Sequence, residues 1–181
     1  MKKGFTLIEL VIVIGILAIL AAAVVLVLNP AQLLAQARDS QRMSDLSSIK
    51  SAIGLYLATA NTVTLGVQAR STFATACGLT GNCTINSIVL TDGTGWVGVV
   101  LNDTSGGSPI SALPLDPLNN ANYQYAYQGD NTNKTFELNG RLESTKYRDA
   151  MVNDGGNRST CSTYIETTCY YEVGTDAGLD L

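Results

Sequence analysis

The stretch from Leu10 to Leu28 holds no charged or strongly polar side chain, and it constrains this chain more than any other feature. Nineteen helical residues rise about 28 Å at about 1.5 Å each, close to the roughly 30 Å of a bilayer's hydrocarbon core. A run of that length reads as a membrane-spanning helix, separate from whatever core the remaining residues build. Only Lys2 and Lys3 carry positive charge ahead of it. The positive-inside tendency then keeps the N-terminus in the cytoplasm and sends the remainder outside, making a single-pass protein of the cytoplasmic membrane. One residue is discordant. Glu9 puts a carboxylate at the head of the run, and a charge carried to the bilayer centre costs about 2.5–3.5 kcal/mol on insertion scales.

The 181 residues leave room for one compact domain beside the span. Residues 29–60 are polar and helical in character. Leu46, Ile49, Ile53, Tyr56 and Leu57 recur at helical spacing and mark one apolar face. Arg38, Asp39, Arg42, Asp45 and Lys50 fall outside that stripe, which predicts that they face water or neighbouring chains. Pro30 lies where the apolar zone meets the polar one, so a kink or break is expected near Asn29–Pro30. From residue 61 the texture changes to short β-branched and aromatic runs between turn residues: TINSIVL, GWVGVVL, NYQYAYQ, KTFELNGRLE and CYYEV. These read as strands of an antiparallel sheet. Tyr123, Tyr125 and Tyr127 alternate, so they share one side of their strand, and packing on the helical stripe is favoured over a binding platform. The fold class that follows is α+β. A long N-terminal helix, transmembrane in its first half, packs by its second half on a C-terminal antiparallel β-sheet domain over 61–181.

Four cysteines, Cys77, Cys83, Cys161 and Cys169, agree with an oxidising compartment. Three connectivities are possible; local pairing is favoured because each close pair brackets a Gly-rich or polar loop. The net charge of −4 argues against general attraction to nucleic acid. Lys134, Arg141, Lys146, Arg148 and Arg158 form a local basic cluster that reads mostly as solvated surface. No histidine, phosphate-binding glycine loop or paired-carboxylate signature points to catalysis.

The opening residues KKGFTLIEL resemble the processing signal of the type IV pilin family, type II secretion pseudopilins included. The resemblance implies that residues 1–4 are a leader removed between Gly4 and Phe5 by a prepilin peptidase, which also N-methylates Phe5. It further implies that 5–28 is first a membrane anchor and then the core helix of an extracellular or periplasmic filament, with 29–60 its amphipathic continuation. Thr6 and Glu9 would guide assembly, and Gly15 and Pro30 would be places where the helix can break. The partners it implies are identical or related subunits, the peptidase and methylase, an inner-membrane assembly platform, and lipid before assembly. A minor subunit at a filament tip, binding a surface, DNA or a secreted substrate, is the alternative, and the basic cluster and the Cys161–Cys169 loop would favour it. A secretory signal peptide cleaved near Ala21–Ala23 fits less well, because such a signal has no need of Glu9.

Downstream, LPLDPLNNANYQYAYQ, FELNGRLE, DGGN and YEVGTD are similar to the C-terminal layout of the major pseudopilin, where a loop carries calcium. Asp149, Asn153, Asp154, Asp176 and Asp180 supply hard oxygen atoms suited to a structural Ca²⁺. Their spacing is not that of an EF-hand, and the same residues are common in surface turns. Asp116, between Pro114 and Pro117, is expected to cap a turn leading into the tyrosine strand.

Overall fold

The computed structural model describes residues 4–161 and 168–181, so Lys2, Lys3 and the middle of the Cys161–Cys169 loop lie outside the described residues. The chain divides into two compact units, Met1–Ala35 and Gln36–Leu181.

The first unit contains helix α1, Leu7–Leu28, and the opening turns of α2, Pro30–Thr59. Its 22 residues make α1 about 33 Å long. Asn29 separates the two helices in the left-handed conformation, at φ 41° and ψ 75°. It ends one helix and starts the other: its backbone carbonyl accepts from Gln32 N at 3.0 Å and Leu33 N at 3.3 Å, and its side-chain oxygen from Gln32 N at 3.4 Å. Pro30 then takes the first helical position, where a missing N–H costs nothing. Gly15, expected as a second weak point, lies inside an unbroken helix. One glycine costs a helix only about 1 kcal/mol against alanine, which 21 other helical residues outweigh.

In the second unit α2 continues to Thr59 and five strands follow: β1 Arg70–Ser71, β2 Thr84–Ile85, β3 Ala126–Asp130, β4 Thr135–Gly140 and β5 Tyr171–Gly174. A one-turn helix, α3 Arg148–Val152, precedes β5. The sheet order is β2-β1-β3-β4-β5. The β1–β2 pair is parallel and the others are antiparallel. The fold is α+β, consistent with a pilin fold.

One sheet face carries Tyr127, Phe136 and Leu138, which join Leu46, Ile49, Ile53 and Tyr56 of α2 in the main core; Leu57 sits at its margin. Each such side chain contributes roughly 1.5–3 kcal/mol when fully buried. Tyr125 donates to Asp45 Oδ2 at 2.9 Å and Tyr127 to the Leu65 carbonyl, so these two rings bind the sheet to α2 and its following loop. The opposite face carries Ala126, Gln128, Glu137, Asn139 and Glu172, and the Cys77–Cys83 loop packs against its Ala126 end.

Two expected strands are largely absent. TINSIVL pairs only at Thr84–Ile85, and GWVGVVL forms a single bridge, Asp92 with Val100. Their side chains still enter the core, with Trp96, Val97, Val99 and Leu101 fully buried. The physical reason lies in the backbone. Arg70 Nη1 donates to the Gly93 and Gly95 carbonyls at 3.0 and 2.6 Å, replacing a neighbouring strand. Residue 95 also lies so close to the Leu90 carbonyl that no side chain fits there.

Candidate functional site

Residues 4–9 and the helix they open form the site the sequence singles out. Gly4, Phe5 and Thr6 lie outside the helix, which starts at Leu7. Gly4 has no heavy atom near its missing side chain, and Phe5 is 83% exposed. The Gly4–Phe5 bond therefore lies outside the helix, at an exposed position.

Glu9 closes on Thr6. The Thr6 backbone N–H and hydroxyl both donate to Glu9 Oε2, at 2.9 and 2.7 Å, and Glu9 N donates to Thr6 Oγ1 at 3.3 Å. This is a capping box: threonine and a glutamate three residues later satisfy two orphaned N–H groups at the helix start. The carboxylate also lies at the positive end of the helix dipole. The discordant charge thus has a partner within its own chain. The signal was present in the sequence as Thr-x-x-Glu ahead of an apolar run, and the family resemblance drew attention to assembly instead.

Leu7–Val25 has a mean hydropathy of 3.0 and none of its residues is buried. A helix that is apolar all round needs lipid or other helices as its surroundings.

A second cluster, in the domain, overturns an expectation. Asp39 and Arg42, read as solvent-facing, are fully buried. Arg42 forks onto Asp116, with Nε to Oδ2 at 2.6 Å and Nη2 to Oδ1 at 3.0 Å. Its Nη1 reaches Asp39 Oδ1 at 2.8 Å and Glu143 Oε1 at 2.7 Å, and its guanidinium lies 4.7 Å from the centre of the Tyr123 ring. Arg38 holds Glu143 through two bonds of 2.5 and 2.8 Å, while Asp39 accepts from Glu143 N and Ser144 N. Burial disfavours the Arg42 charge, but Asp116, Glu143 and Asp39 outweigh it and raise its pKa above the ordinary value. Burial likewise disfavours the Glu143 carboxylate, and the two arginines outweigh that and hold its pKa below the usual range. Asp116 also accepts from Leu118 N and Asn119 N, so it caps its turn and anchors α2 together. Periodicity could not show this, since Asp116 and Glu143 lie 74 and 101 positions from Arg42.

The cysteines pair locally, Cys77 with Cys83 and Cys161 with Cys169. The basic cluster is only partly open, with Lys134 and Lys146 exposed. Arg141 is buried over the Tyr170 ring, Lys134 donates to the Val63 carbonyl, Arg148 to Cys161 and Arg158 to Leu79.

The calcium candidates serve as local caps. The Asn153 amide donates to the Asp149 carbonyl, Asp154 accepts from Gly156 N and Glu172 N, and Asp176 accepts from the Thr135 hydroxyl and Asp180 N. Among the described residues no three Asp, Glu, Cys or His side chains are grouped so that they could hold a metal ion.

A family model described as the prokaryotic N-terminal methylation motif matches residues 1–25. No curated protein and no solved structure matches the chain. The matched residues carry a type IV pilin-like prepilin signal.

Proposed function

We propose that this chain is a structural subunit of a type IV pilus or a related pseudopilus, cleaved after Gly4, N-methylated on Phe5 and assembled into a helical filament. The observation that carries the reading is the methylation motif over residues 1–25, which includes most of a helix that is apolar on every side beyond Glu9 and has no buried residue over Leu7–Val25. Such a helix is stable in lipid and equally stable in a bundle of its own kind, which is what transfer from membrane to filament requires.

The chemistry follows from the first turn. Cleavage leaves Phe5 with an α-amino group of ordinary pKa near 8, cationic for the most part at neutral pH. Within a bundle of apolar helices that cation is costly alone, and so is a carboxylate. The capping bonds fall on Glu9 Oε2, which leaves Oε1 to receive the Phe5 amine of an adjacent subunit. The capping box holds the carboxylate in the membrane before assembly, and the intersubunit pair sets the stagger afterwards. A mismatched stack leaves a buried charge unpaired, at a cost of about 3–5 kcal/mol. The role is structural and not catalytic, with the β-rich domain outside the membrane as the filament surface.

Intact-mass measurement with N-terminal sequencing of the protein from its native host tests this. A chain beginning at Phe5 and heavier by one methyl group is expected. An intact Met1, or a start near Val24, would remove the filament reading.

A further inference from the structure

The face of the sheet turned away from α2 carries an excess of hydrogen-bond acceptors. Glu137 on β4 and Glu172 on β5 are each only 1% exposed, as is Asn139, which lies opposite Glu172 in register, while Gln128 of β3 sits opposite Glu137. Glu137 Oε2 accepts from Leu181 N at 2.9 Å, and Glu172 Oε2 from Arg158 N at 2.8 Å. Asn139 donates one of its two amide N–H groups to the Gly78 carbonyl at 2.9 Å. Glu172 Oε1, Asn139 Oδ1 and Gln128 Oε1 are left buried without a donor. Glu172 pairs with Asn139, two residues along β4 from Glu137, so the two carboxyl groups are diagonal neighbours on one face.

Two buried carboxylates on one face, each with a backbone donor but beside amide oxygens that have none, call for a further donor and more positive charge than Arg158 supplies. A proton supplies both. We propose that Glu137 and Glu172 share one proton at neutral pH, and that losing it on alkalinisation loosens the cover over this face, formed by the Cys77–Cys83 loop and the Asp180–Leu181 segment.

The cover is attached at this place. Thr80 of the disulfide loop donates through its N–H to a Leu181 oxygen at 2.7 Å and through its hydroxyl to the Asp180 carbonyl at 3.1 Å. Leu181 in turn donates to Glu137. The charges facing the pair are mostly of its own sign: Asp154, whose Oδ2 accepts from Glu172 N, and Asp176 near Glu137. Arg158 opposes them, and Lys50 of α2 lines the adjoining groove with Asp154 and Asp176. Burial pushes Glu137 up to about 7 and, reinforced by Glu137 and Asp154, pushes Glu172 up to about 8.

Both carboxyls hold protons more tightly folded than unfolded. Their contribution is fully present below the ordinary glutamate value of 4.5 and is lost as pH rises through 7 to 8. The chain has no histidine and no free cysteine, the two side-chain types that ordinarily titrate nearest that window.

Infrared spectroscopy of the full chain in detergent, with thermal unfolding followed from pH 6 to 9, tests the proposal. The wild type should show a protonated-carboxyl band at pH 7, absent from Glu137→Gln/Glu172→Gln. From pH 6 up to the pair's titration its folding equilibrium should fall about tenfold per pH unit, one proton per chain, and level off above it. Glu137→Gln alone, carrying a fixed donor, should flatten that dependence; if it does not fold, Glu172→Gln serves the same purpose. Absence of the band at pH 7 overturns the proposal. So does loss of both band and pH dependence on adding millimolar calcium, which would make the cluster a cation site.

Discussion

Helices α1 and α2 follow one another with a single residue between them, yet they are determined in opposite ways. Helix α1 is set by its own residues: a threonine and a glutamate cap its start, an uninterrupted apolar run fills it, and Asn29 ends it. Helix α2 is set by distant residues, through an apolar stripe on the sheet and a buried arginine held by carboxylates from two other parts of the chain. The first can exchange one apolar environment for another without changing fold. The second loses its place if any of several remote partners is removed. A subunit that leaves a membrane needs one part of each kind.

The largest expected effect tests the remote half. Arg42→Ala leaves Asp39, Asp116 and Glu143 without their shared cation and should destabilise the domain by about 3–5 kcal/mol, a fall in Tm on the order of 10 °C. Calorimetry of the full chain in detergent measures it, and membrane insertion should not change. A loss under about 1 kcal/mol would show that α2 is held by its stripe alone. The same cluster sets an acid limit. With its pKa held low by Arg38 and Arg42, Glu143 contributes fully above about pH 4.5 and loses that contribution as pH falls through its folded value. Unfolding midpoints measured from pH 6 down to 3 should drop for the wild type and drop less for Glu143→Gln.

A middle effect comes from the Cys77–Cys83 bond. The double change to serine should cost about 2–3 kcal/mol through the freed loop and leave α1 unaffected, as judged by protease protection in membranes.

Smaller effects sharpen the local half. Glu9→Ala should insert as well as the wild type or better, yet enter filaments roughly tenfold less, a factor worth about 1.4 kcal/mol. Normal filaments would remove Glu9 from assembly. Thr6→Ala breaks the capping box alone and should cost the helix start about 1 kcal/mol, seen as faster amide exchange over the first turn. Gly15→Ala, with open space for the new methyl group, should stabilise α1 by no more than about 1 kcal/mol and leave the domain's Tm unchanged.

The contrast between the helices also explains what could be read in advance. The span, the motif and the break at Asn29–Pro30 depend on neighbours in sequence, and the stripe of Leu46, Ile49, Ile53 and Tyr56 shows in its period. The burial of Asp39 and Arg42 does not, because periodicity assigns only apolar residues to the interior and the partners arrive from far along the chain. GWVGVVL was legible as core and illegible as backbone: its apolar content is buried, but glycine carbonyls taken by Arg70 leave it without a ladder. Thr6 and Glu9 were visible from the start, and their bond to each other was the plainer local reading.

Asn29 has a mechanical consequence. Since α1 stops at the left-handed turn of Asn29 and α2 starts on that residue's hydrogen bonds, turning a few backbone angles at one position is enough for α1 to swivel or be pulled. Tension on the apolar helix then reaches α2 as a force at its capped first turn, without peeling its ladder open. The joint acts like the shackle in a chain, passing load between two stiff links while leaving each link's internal structure alone.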